Sequence, residues 1–259
     1  MAWNPDQYLK FAQPRLRPAI DLLARIALAS PRRIADLGCG TGNITRLLAQ
    51  RWPEAEVTGV DSAVTMLTHD VSGLSAPEAG RIRWQQADLA QWQAEAPPDL
   101  IYSNAALHWL PQHERLLPRL LAMLAPGGVL AVQMPRNFGA PSHTAIAETV
   151  HEGPWRDKLL PLLKPTPVAE PAWYYTLLAA VAAEVDLWET EYLQVLTGPN
   201  PVKEWTKGTW LAQFLAALEG DEAAAFEEAY AAKMRAAYPM RADGRTLFPF
   251  KRLFMIVRR

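Results

Sequence analysis

The sequence predicts a doubly wound α/β fold, in which parallel strands and helices alternate along one sheet. Three observations lead to this prediction. Short apolar runs alternate with helical stretches from residue 18 to about residue 135, and a glycine-rich turn joins the first apolar run to a helix. Half of the 259 residues are hydrophobic. The alternation is typical of βαβ units, and the composition allows a sizeable core.

The elements of the first half follow from the local pattern. An opening helix is predicted at residues 18–29, and the glycine turn leads into a second helix at residues 42–51. A short helix at residues 63–70 and a longer one at residues 112–124 follow, the latter closed by Pro126-Gly127-Gly128. The predicted strands are residues 32–37, 56–60, 81–85, 99–103 and 128–133.

The second half has a different texture, with Ala- and Leu-rich helical stretches, tryptophans and proline breaks. We interpret residues 1–136 as the core, including an N-terminal lid segment. Two insertions, residues 137–183 and 198–247, are predicted to form a helical cap. Alternating apolar residues predict a strand within residues 184–197, and a strand within residues 248–259 is expected to pair with it and complete the core sheet.

Charge and composition narrow the classes of function. Twenty-six basic residues against 27 acidic ones give a net charge of -1, and no Lys/Arg block marks a nucleic-acid or membrane footprint. The first residues lack the profile of a signal peptide, and no run of about 18 apolar residues occurs. The single cysteine, Cys39, fits a reducing compartment. We expect a cytoplasmic protein that binds a small molecule, and neither nucleic acid nor membrane. The sequence leaves the oligomeric state open.

The glycine turn is the first candidate site. A turn from a parallel strand into a helix gathers unpaired N–H groups at the carboxyl edge of the sheet, where open α/β folds bind ligands. The glycines lie at positions 38, 40 and 42, and Asn43 stands where the dinucleotide fingerprint has its third glycine, which disfavours NAD or FAD. Asp61 ends the second predicted strand, where a carboxylate can accept hydrogen bonds from both ribose hydroxyls. Taken singly, the turn and the aspartate also suit structural roles, as a tight turn and a helix cap.

The pattern D-x-G-x-G-x-G from Asp36 to Gly42 resembles the first motif of class I methyltransferases. Ala87-Asp88-Leu89 and the segment from Ser103 to Trp109 resemble two further segments of that class. The resemblance implies a Rossmann-like doubly wound class I methyltransferase sheet that binds S-adenosyl-L-methionine and releases S-adenosyl-L-homocysteine. The residues that it implies for cofactor binding are Asp36, Gly38, Gly40, Gly42, Asn43, Asp61, Ser62, Asp88, Leu89, Asn104 and Ala105.

The N-terminal segment precedes the first strand and is a candidate lid over the cofactor. We hypothesise that Tyr8 or Arg17 contacts the methionine carboxylate of the cofactor. The alternative is an amphipathic helix with exposed basic residues. Removal of residues 1–12 without any change in cofactor affinity would exclude the lid.

Over nearly the whole chain, the sequence resembles the trans-aconitate 2-methyltransferase family of carboxyl O-methyltransferases. Thr41 stands where proline is common, and His108 where glutamine occurs. Neither departure should prevent cofactor binding, although His108 could alter substrate preference. The segments that carry the resemblance are Trp3 to Phe11, Val129 to Pro135 with Asn137, Gly153-Pro154-Trp155, Glu204 to Thr209, Ala237-Tyr238-Pro239 and Ala242 to Arg245.

The implied chemistry requires no catalytic side chain and no metal. A carboxylate with a pKa of about 4 is ionised at neutral pH, so it can attack a sulfonium methyl without a general base. In-line positioning and exclusion of water then supply the rate enhancement. A polycarboxylate acceptor needs cations, for which Arg245 and Lys207 lead, followed by Arg136, His143 and Arg241. The predicted substrate-binding residues are Gln133, Asn137, His143, Trp155, Lys207 and Arg245.

Three other interpretations of the sequence remain open. The first is a methyltransferase for a different small acceptor, in which the cap cations would be solvated surface residues. The second is an NAD(P)-dependent oxidoreductase, which Asn43 disfavours. The third is a binding module without catalytic activity.

Overall fold

The computed structural model describes residues 12–67 and 80–259. Seven strands form one sheet: β1 (Arg33–Leu37), β2 (Glu56–Asp61), β3 (Ile82–Gln86), β4 (Leu100–Asn104), β5 (Val129–Pro135), β6 (Glu184–Thr197) and β7 (Arg245–Arg258). The helices are α1 (Ala12–Arg25), α2 (Asn43–Arg51), α3 (Val64–Leu67), α4 (His113–Met123), α5 (Pro141–Glu152), α6 (Arg156–Leu159), α7 (Pro171–Ala179), α8 (Pro201–Lys207), α9 (Ala212–Leu215) and α10 (Gly220–Ala237). Short 3-10 turns occupy Leu107–Trp109 and Leu160–Leu162.

The strand order is β3-β2-β1-β4-β5-β7-β6. β1 pairs in parallel with β2 and β4, β2 with β3, and β4 with β5. The chain therefore moves outward in one direction from β1 to β3 and returns to start again at β4. This reversal is the topological switch point at which open α/β sheets bind ligands. The doubly wound α/β prediction is confirmed.

Strands β7 and β6 extend the sheet beyond β5, at the end opposite to β3. Arg259 donates its N–H to the carbonyl of Gly128, whereas Arg136 donates its N–H to Lys251, so β7 runs antiparallel to β5. β6 lies beside β7, which is the pairing expected from the sequence. β5 lies between β4 and β7, and all seven of its residues are buried. In contrast, exposed and buried residues alternate along the second half of the edge strand β6.

The first helix differs from its prediction at both ends. The sequence indicated a start at Pro18, but α1 begins at Ala12 and accommodates that proline internally. The helix ends at Arg25 rather than at residue 29. The guanidinium of Arg51 donates hydrogen bonds to the carbonyls of Leu23 and Ile26, so a side chain from α2 satisfies carbonyls at the helix end.

Two compact units divide the described chain. The core unit comprises the described parts of residues 16–134 with residues 167–190 and 253–259, and the cap unit comprises the described part of residues 1–15 with residues 135–166 and 191–252. Residues 167–183, with α7, thus group with the core unit, although the sequence placed them in the first insertion. None of the helices in the described ranges is long and apolar enough to span a membrane.

The cap unit has its own hydrophobic core, which the aromatic residues of α8, α10 and β7 dominate. Trp205 packs edge-on against Phe248, with ring centroids 5.7 Å apart. Trp155 packs edge-on against Phe226 at 5.2 Å. Aromatic rings contribute the largest buried areas in protein cores. Most of the tryptophans and phenylalanines that distinguish the second half of the sequence therefore have a packing role.

Candidate functional site

The glycine turn lies between β1 and α2 and is fixed to the end of β2. The N–H groups of Gly38 and Cys39 both donate to the carbonyl of Val60, at 2.8 and 3.1 Å. A Cβ on Gly38 would lie 2.1 Å from the Cβ of Ala106, and one on Gly42 would lie 2.2 Å from the indole of Trp84. Close packing of the protein itself therefore requires glycine at both positions.

Gly40 is different, because a Cβ at this position would meet no atom within 4 Å. Its φ of 56° is left-handed, and its N–H donates to Oδ2 of Asp61 at 2.9 Å. Packing within the described chain thus leaves the face of the turn at Gly40 open. Of the three glycines, this one presents backbone that a ligand can approach closely.

Substitution of Gly40 by alanine is expected to weaken cofactor binding by at least about tenfold, because the new methyl group occupies the open face of the turn. Left-handed backbone alone costs an alanine roughly 1–2 kcal/mol. Gly127 is the matched control, since its φ is 75° and its Cβ would also meet nothing within 4 Å. Titration calorimetry with S-adenosylmethionine should separate Gly40→Ala from Gly127→Ala. Equal affinities in the two variants would mean that Gly40 serves only the turn.

Asp61 connects the end of β2 to the glycine turn. Its Oδ2 accepts the N–H of Gly40, and its Oδ1 accepts the N–H of Ala63 at 2.9 Å. Each carboxylate oxygen has a second lone pair, so the partly exposed group keeps acceptor capacity for a ligand. Ser62 follows it and is exposed, with its carbonyl accepting a hydrogen bond from Gln86. Asn43 is exposed at the first position of α2.

Asp88 and Leu89 follow β3 and have different environments. Asp88 is exposed, and its Oδ1 caps the following turn by accepting the N–H of Ala90 at 2.9 Å. Leu89 is buried, and its Cδ1 lies 3.7 Å from the position of a Cβ on Gly38. The loop after β3 therefore borders the glycine turn through Leu89.

Asp36 precedes the turn and is almost fully buried. The hydroxyl of Thr45 donates to its Oδ2 at 2.7 Å. Burial, reinforced by the nearby Asp61 and opposed by the Thr45 hydrogen bond, raises the pKa of Asp36 to about 7. A negative charge is therefore costly at this position unless a positive charge offsets it.

Two amide side chains lie at the carboxyl ends of β4 and β5. Asn104 and Gln133 are register partners in the parallel pair, so their side chains leave the sheet on the same face. Gln133 is fully buried, and neither its Oε1 nor its Nε2 has a hydrogen-bond partner within the described structure. Oδ1 of Asn104 is also buried, and it too has no hydrogen-bond partner within the described structure. Buried amides without partners are rare, and each such group costs about 1–3 kcal/mol.

The backbone beside this pair is also unusual. Ala105 has a φ of 53°, in the left-handed region that disfavours residues other than glycine. Its N–H donates to the carbonyl of Gln133 at 2.9 Å. Strain and unmade hydrogen bonds thus coincide at the switch point of the sheet, and such a combination is typical of ligand sites.

Among the predicted cap residues, Asn137 and His143 lie together near the start of α5. Nδ2 of Asn137 donates to the hydroxyl of Ser142 at 3.2 Å, and that hydroxyl lies 3.0 Å from Nδ1 of His143. Burial lowers the pKa of His143 to about 4. The imidazole is therefore neutral at pH 7, and the expectation of a cationic His143 is wrong.

Trp155 and Lys207 are occupied by interactions within the cap unit. Trp155 is only 6% exposed, and its indole N–H donates to the carbonyl of Thr149 at 2.7 Å. Nζ of Lys207 lies 2.8 Å from each carboxylate oxygen of Glu227. Within the described chain, the Trp155 indole donor is thus used in packing, and a carboxylate already compensates the charge of Lys207.

Arg245 is one predicted cation that remains available. It begins β7, its N–H donates to Asp243, and its exposed side chain makes no ion pair with the described residues. Arg241 is also exposed and makes no ion pair with the described residues, and its N–H donates to the carbonyl of Arg245. Arg17 is exposed on α1. Tyr8 lies outside the described residues, so its predicted cofactor contact stays a prediction. Within the described ranges, no three His, Cys, Asp or Glu side chains are grouped so as to hold a metal ion.

Comparison with known proteins identifies the family. Residues 34–128 match a methyltransferase domain. The chain is 50% identical to the trans-aconitate 2-methyltransferase of Azoarcus sp. (strain BH72) over 98% of both chains. It is 45% identical to that of Methylobacterium nodulans, over 99% of this chain and 98% of the relative. The chain belongs to the trans-aconitate 2-methyltransferase family.

Solved structures agree with this assignment at the level of the fold. Haemonchus contortus phosphoethanolamine N-methyltransferase 2, in complex with S-adenosyl-L-methionine, matches with a TM-score of 0.55 at 17% identity, over 97% of this chain and 56% of its own. The YcgJ protein from Bacillus subtilis matches with a TM-score of 0.54 at 16% identity, over 93% of this chain and 97% of its own. The class I methyltransferase fold that the resemblance implied is confirmed.

The family segments in the cap have visible structural roles. A Cβ on Gly153 would lie 2.1 Å from the indole of Trp155, so Gly153-Pro154-Trp155 lets the ring fold back into the cap core. In the Glu204 to Thr209 segment, the hydroxyl of Thr206 lies 3.0 Å from that of Tyr230. Segments that resemble the trans-aconitate 2-methyltransferase family therefore help to pack the cap unit, in addition to containing candidate ligand contacts.

Sequence reasoning missed two residues that shape the glycine turn and its border. Trp84 on β3 packs against the positions of Gly42 and Gly59, where it fills the space that their missing side chains leave. Arg119 on α4 donates to the carbonyls of Leu89 and Trp92 and so fixes the loop after β3. Gly59 and Trp84 are register partners on β2 and β3, a pairing that the sequence spacing does not reveal. Nothing in the sequence around Arg119 indicated its partners.

Proposed function

We propose that this protein transfers the methyl group of S-adenosyl-L-methionine to one carboxylate of trans-aconitate, or of a closely related tricarboxylic acid, giving the monomethyl ester. The observation that carries the proposal is the 50% identity to a trans-aconitate 2-methyltransferase over 98% of both chains. This identity covers 98% of the chain and therefore extends beyond the cofactor half and through the cap.

The residues of the core unit fit the cofactor. The open face of the turn at Gly40 leaves room for a ligand, and Asp61 keeps acceptor capacity for ribose hydroxyls. Oδ1 of Asn104, which has no partner among the described residues, can accept a hydrogen bond from an ammonium group. The buried Asp36 offers a negative charge that a cation would stabilise. When bound, the cofactor supplies an electrophilic methyl group on a positively charged sulfur.

The chain has little proton transfer to perform in this reaction. The attacking carboxylate is already ionised at neutral pH, so its oxygen can form the new bond to the methyl carbon as the carbon–sulfur bond breaks. Side chains of the protein hold the acceptor in line and compensate its charges. Arg245 is the leading cation for this role, because its guanidinium is exposed and makes no ion pair with the described residues. Lys207 contributes less, since Glu227 holds its ammonium group.

The deciding experiment incubates the protein with methyl-labelled S-adenosylmethionine and a panel of acceptors, followed by mass spectrometry. We expect a labelled monomethyl ester from trans-aconitate, weaker labelling of other tricarboxylates, and none of monocarboxylates or amines. A protein that binds the cofactor but labels no polycarboxylate would contradict the proposed acceptor. Labelling of an amine would identify a different methyltransferase activity.

A further inference from the structure

Ser142, in the first turn of α5, is held at each of its polar groups. It is fully buried, its N–H donates to the hydroxyl of Tyr238 at 3.2 Å, and its carbonyl accepts the hydroxyl of Tyr230 at 2.8 Å. Its own hydroxyl lies within hydrogen-bond distance of Asn137 and His143. Two tyrosines and an asparagine thus fix one small side chain directly beside the imidazole.

One backbone group sets the direction of each hydrogen bond that links Asn137, Ser142 and His143. The N–H of Lys251 can only donate, and it lies 3.2 Å from Oδ1 of Asn137, so the amide nitrogen of Asn137 faces Ser142. The Ser142 hydroxyl accepts from that nitrogen, and among the described residues Nδ1 of His143 is the one acceptor within reach of its single hydrogen. Nδ1 therefore accepts, and the proton of the neutral imidazole resides on Nε2.

The Nε2–H group has no acceptor among the described residues. Two aromatic rings lie near the imidazole: Phe138 lies 5.0 Å away, edge-on, and Trp210 lies 6.4 Å away, centroid to centroid. Phe138 and Trp210 also pack against each other at 5.4 Å. Neither ring offers a strong acceptor, so a donor of defined direction is available to a ligand at this partly buried imidazole.

We infer that His143 donates a hydrogen bond through Nε2–H to a carboxylate oxygen of the acceptor substrate, and that Ser142 and Asn137 are positioning residues that set its tautomer. This inference rests on the proposed function. The carboxylates of a tricarboxylic acid are hydrogen-bond acceptors only, and they require donors from the protein. A neutral donor adds directional specificity without adding a further buried charge. The direct substrate contact predicted for Asn137 is thereby replaced by an indirect role through Ser142.

The first test compares two substitutions of His143 that place an amide at different distances. Gln reaches the position of Nε2 and keeps a donor there, whereas Asn reaches only the position of Nδ1. We expect His143→Asn to raise the KM for trans-aconitate about 10- to 100-fold with little change in kcat, as for the loss of a uniform binding contact. His143→Gln should retain most of the affinity. The KM for S-adenosylmethionine should not change in either variant.

The second test reads the tautomer directly by nitrogen NMR of protein with labelled histidine, using His143→Gln to assign the signal. We expect the Nε2–H tautomer alone in the unmodified protein and a mixture of the two tautomers in Ser142→Ala. The KM of Ser142→Ala for trans-aconitate should be about tenfold higher than that of the unmodified protein. Thr149→Val is the matched control, because among the described residues the Thr149 hydroxyl on the same helix bonds only to the carbonyl of Ala145. This control should change neither the tautomer nor KM.

The outcomes separate the inference from the proposed function. An unmodified protein that methylates no polycarboxylate would contradict the proposed function, whatever the tautomer. Methylation of trans-aconitate with an unchanged KM in His143→Asn would overturn the inference alone, as would a signal from Nδ1–H in the unmodified protein.

Discussion

Replacement of Gln133 by leucine is expected to raise the free energy of unfolding by about 2 kcal/mol and to lower turnover about 100-fold. Gln133 is fully buried on the interior strand β5, and both polar atoms of its amide lack partners within the described structure. Each unsatisfied buried group costs about 1–3 kcal/mol, and leucine fills a similar volume without that cost. Because this amide lowers the stability of the ligand-free protein, we expect it to form hydrogen bonds with a bound ligand.

Urea unfolding and steady-state kinetics check the two parts of this prediction together. The control is Gln194→Leu, because Gln194 is also a buried strand glutamine but its amide atoms are not among the buried groups without partners. This variant should gain no stability and keep its activity. Comparison of the cofactor Kd with the KM for the acceptor shows which ligand Gln133 contacts. Lower stability with full activity in Gln133→Leu would show that the amide has a structural role.

The core strands could be predicted because parallel central strands are buried on both faces and therefore form continuous apolar runs. Such runs, for example Val129 to Pro135, were located to within about two residues from the sequence. The glycine turn was located with equal accuracy, since its left-handed backbone and close approaches strongly favour glycine. The end of α1 was placed four residues too late, and the carbonyl of Ile26 beyond it bonds to Arg51, which is distant in sequence.

The candidate site was harder to predict, because a side chain's function depends on partners that sequence spacing does not reveal. Lys207 and Arg245 look equivalent as cations in the sequence, yet Glu227 pairs with Lys207 while Arg245 remains exposed. His143 was expected to carry charge, and only its surroundings show that it is neutral. Trp155 resembled a pocket wall, whereas its neighbours in space are those of a core residue.

Replacement of Asp36 by asparagine is expected to remove a large pH dependence of stability. The pKa of Asp36 is raised from 3.8 to about 7 by burial, so the folded state holds this proton more tightly than the unfolded state does. Its stabilising contribution is complete below pH 3.8 and is lost as the pH rises through about 7. Between pH 5 and pH 8 this loss amounts to about 3 kcal/mol.

Urea unfolding of the ligand-free protein at pH 5 and pH 8 measures this difference. The unmodified protein should lose about 3 kcal/mol more than Asp36→Asn over this interval. The lowered pKa of His143 has the opposite effect, because it favours the folded state as the pH rises from about 4 to 6.5. Both proteins contain His143, so its contribution cancels in the comparison. Parallel stability curves for the two proteins would show that Asp36 is not protonated in the folded state at pH 5.

The same carboxyl should couple cofactor affinity to pH. A sulfonium cation bound at the glycine turn favours ionised Asp36, so cofactor binding below pH 7 releases a proton. The affinity for S-adenosylmethionine should therefore rise with pH, by up to about tenfold per pH unit, and level off above pH 7. S-adenosylhomocysteine lacks the sulfonium charge and should show a weaker dependence. In Asp36→Asn, affinity for S-adenosylmethionine should be low and independent of Asp36 titration. Equal pH profiles for the two ligands in the unmodified protein would mean that Asp36 does not interact with the charge that is lost on methyl transfer.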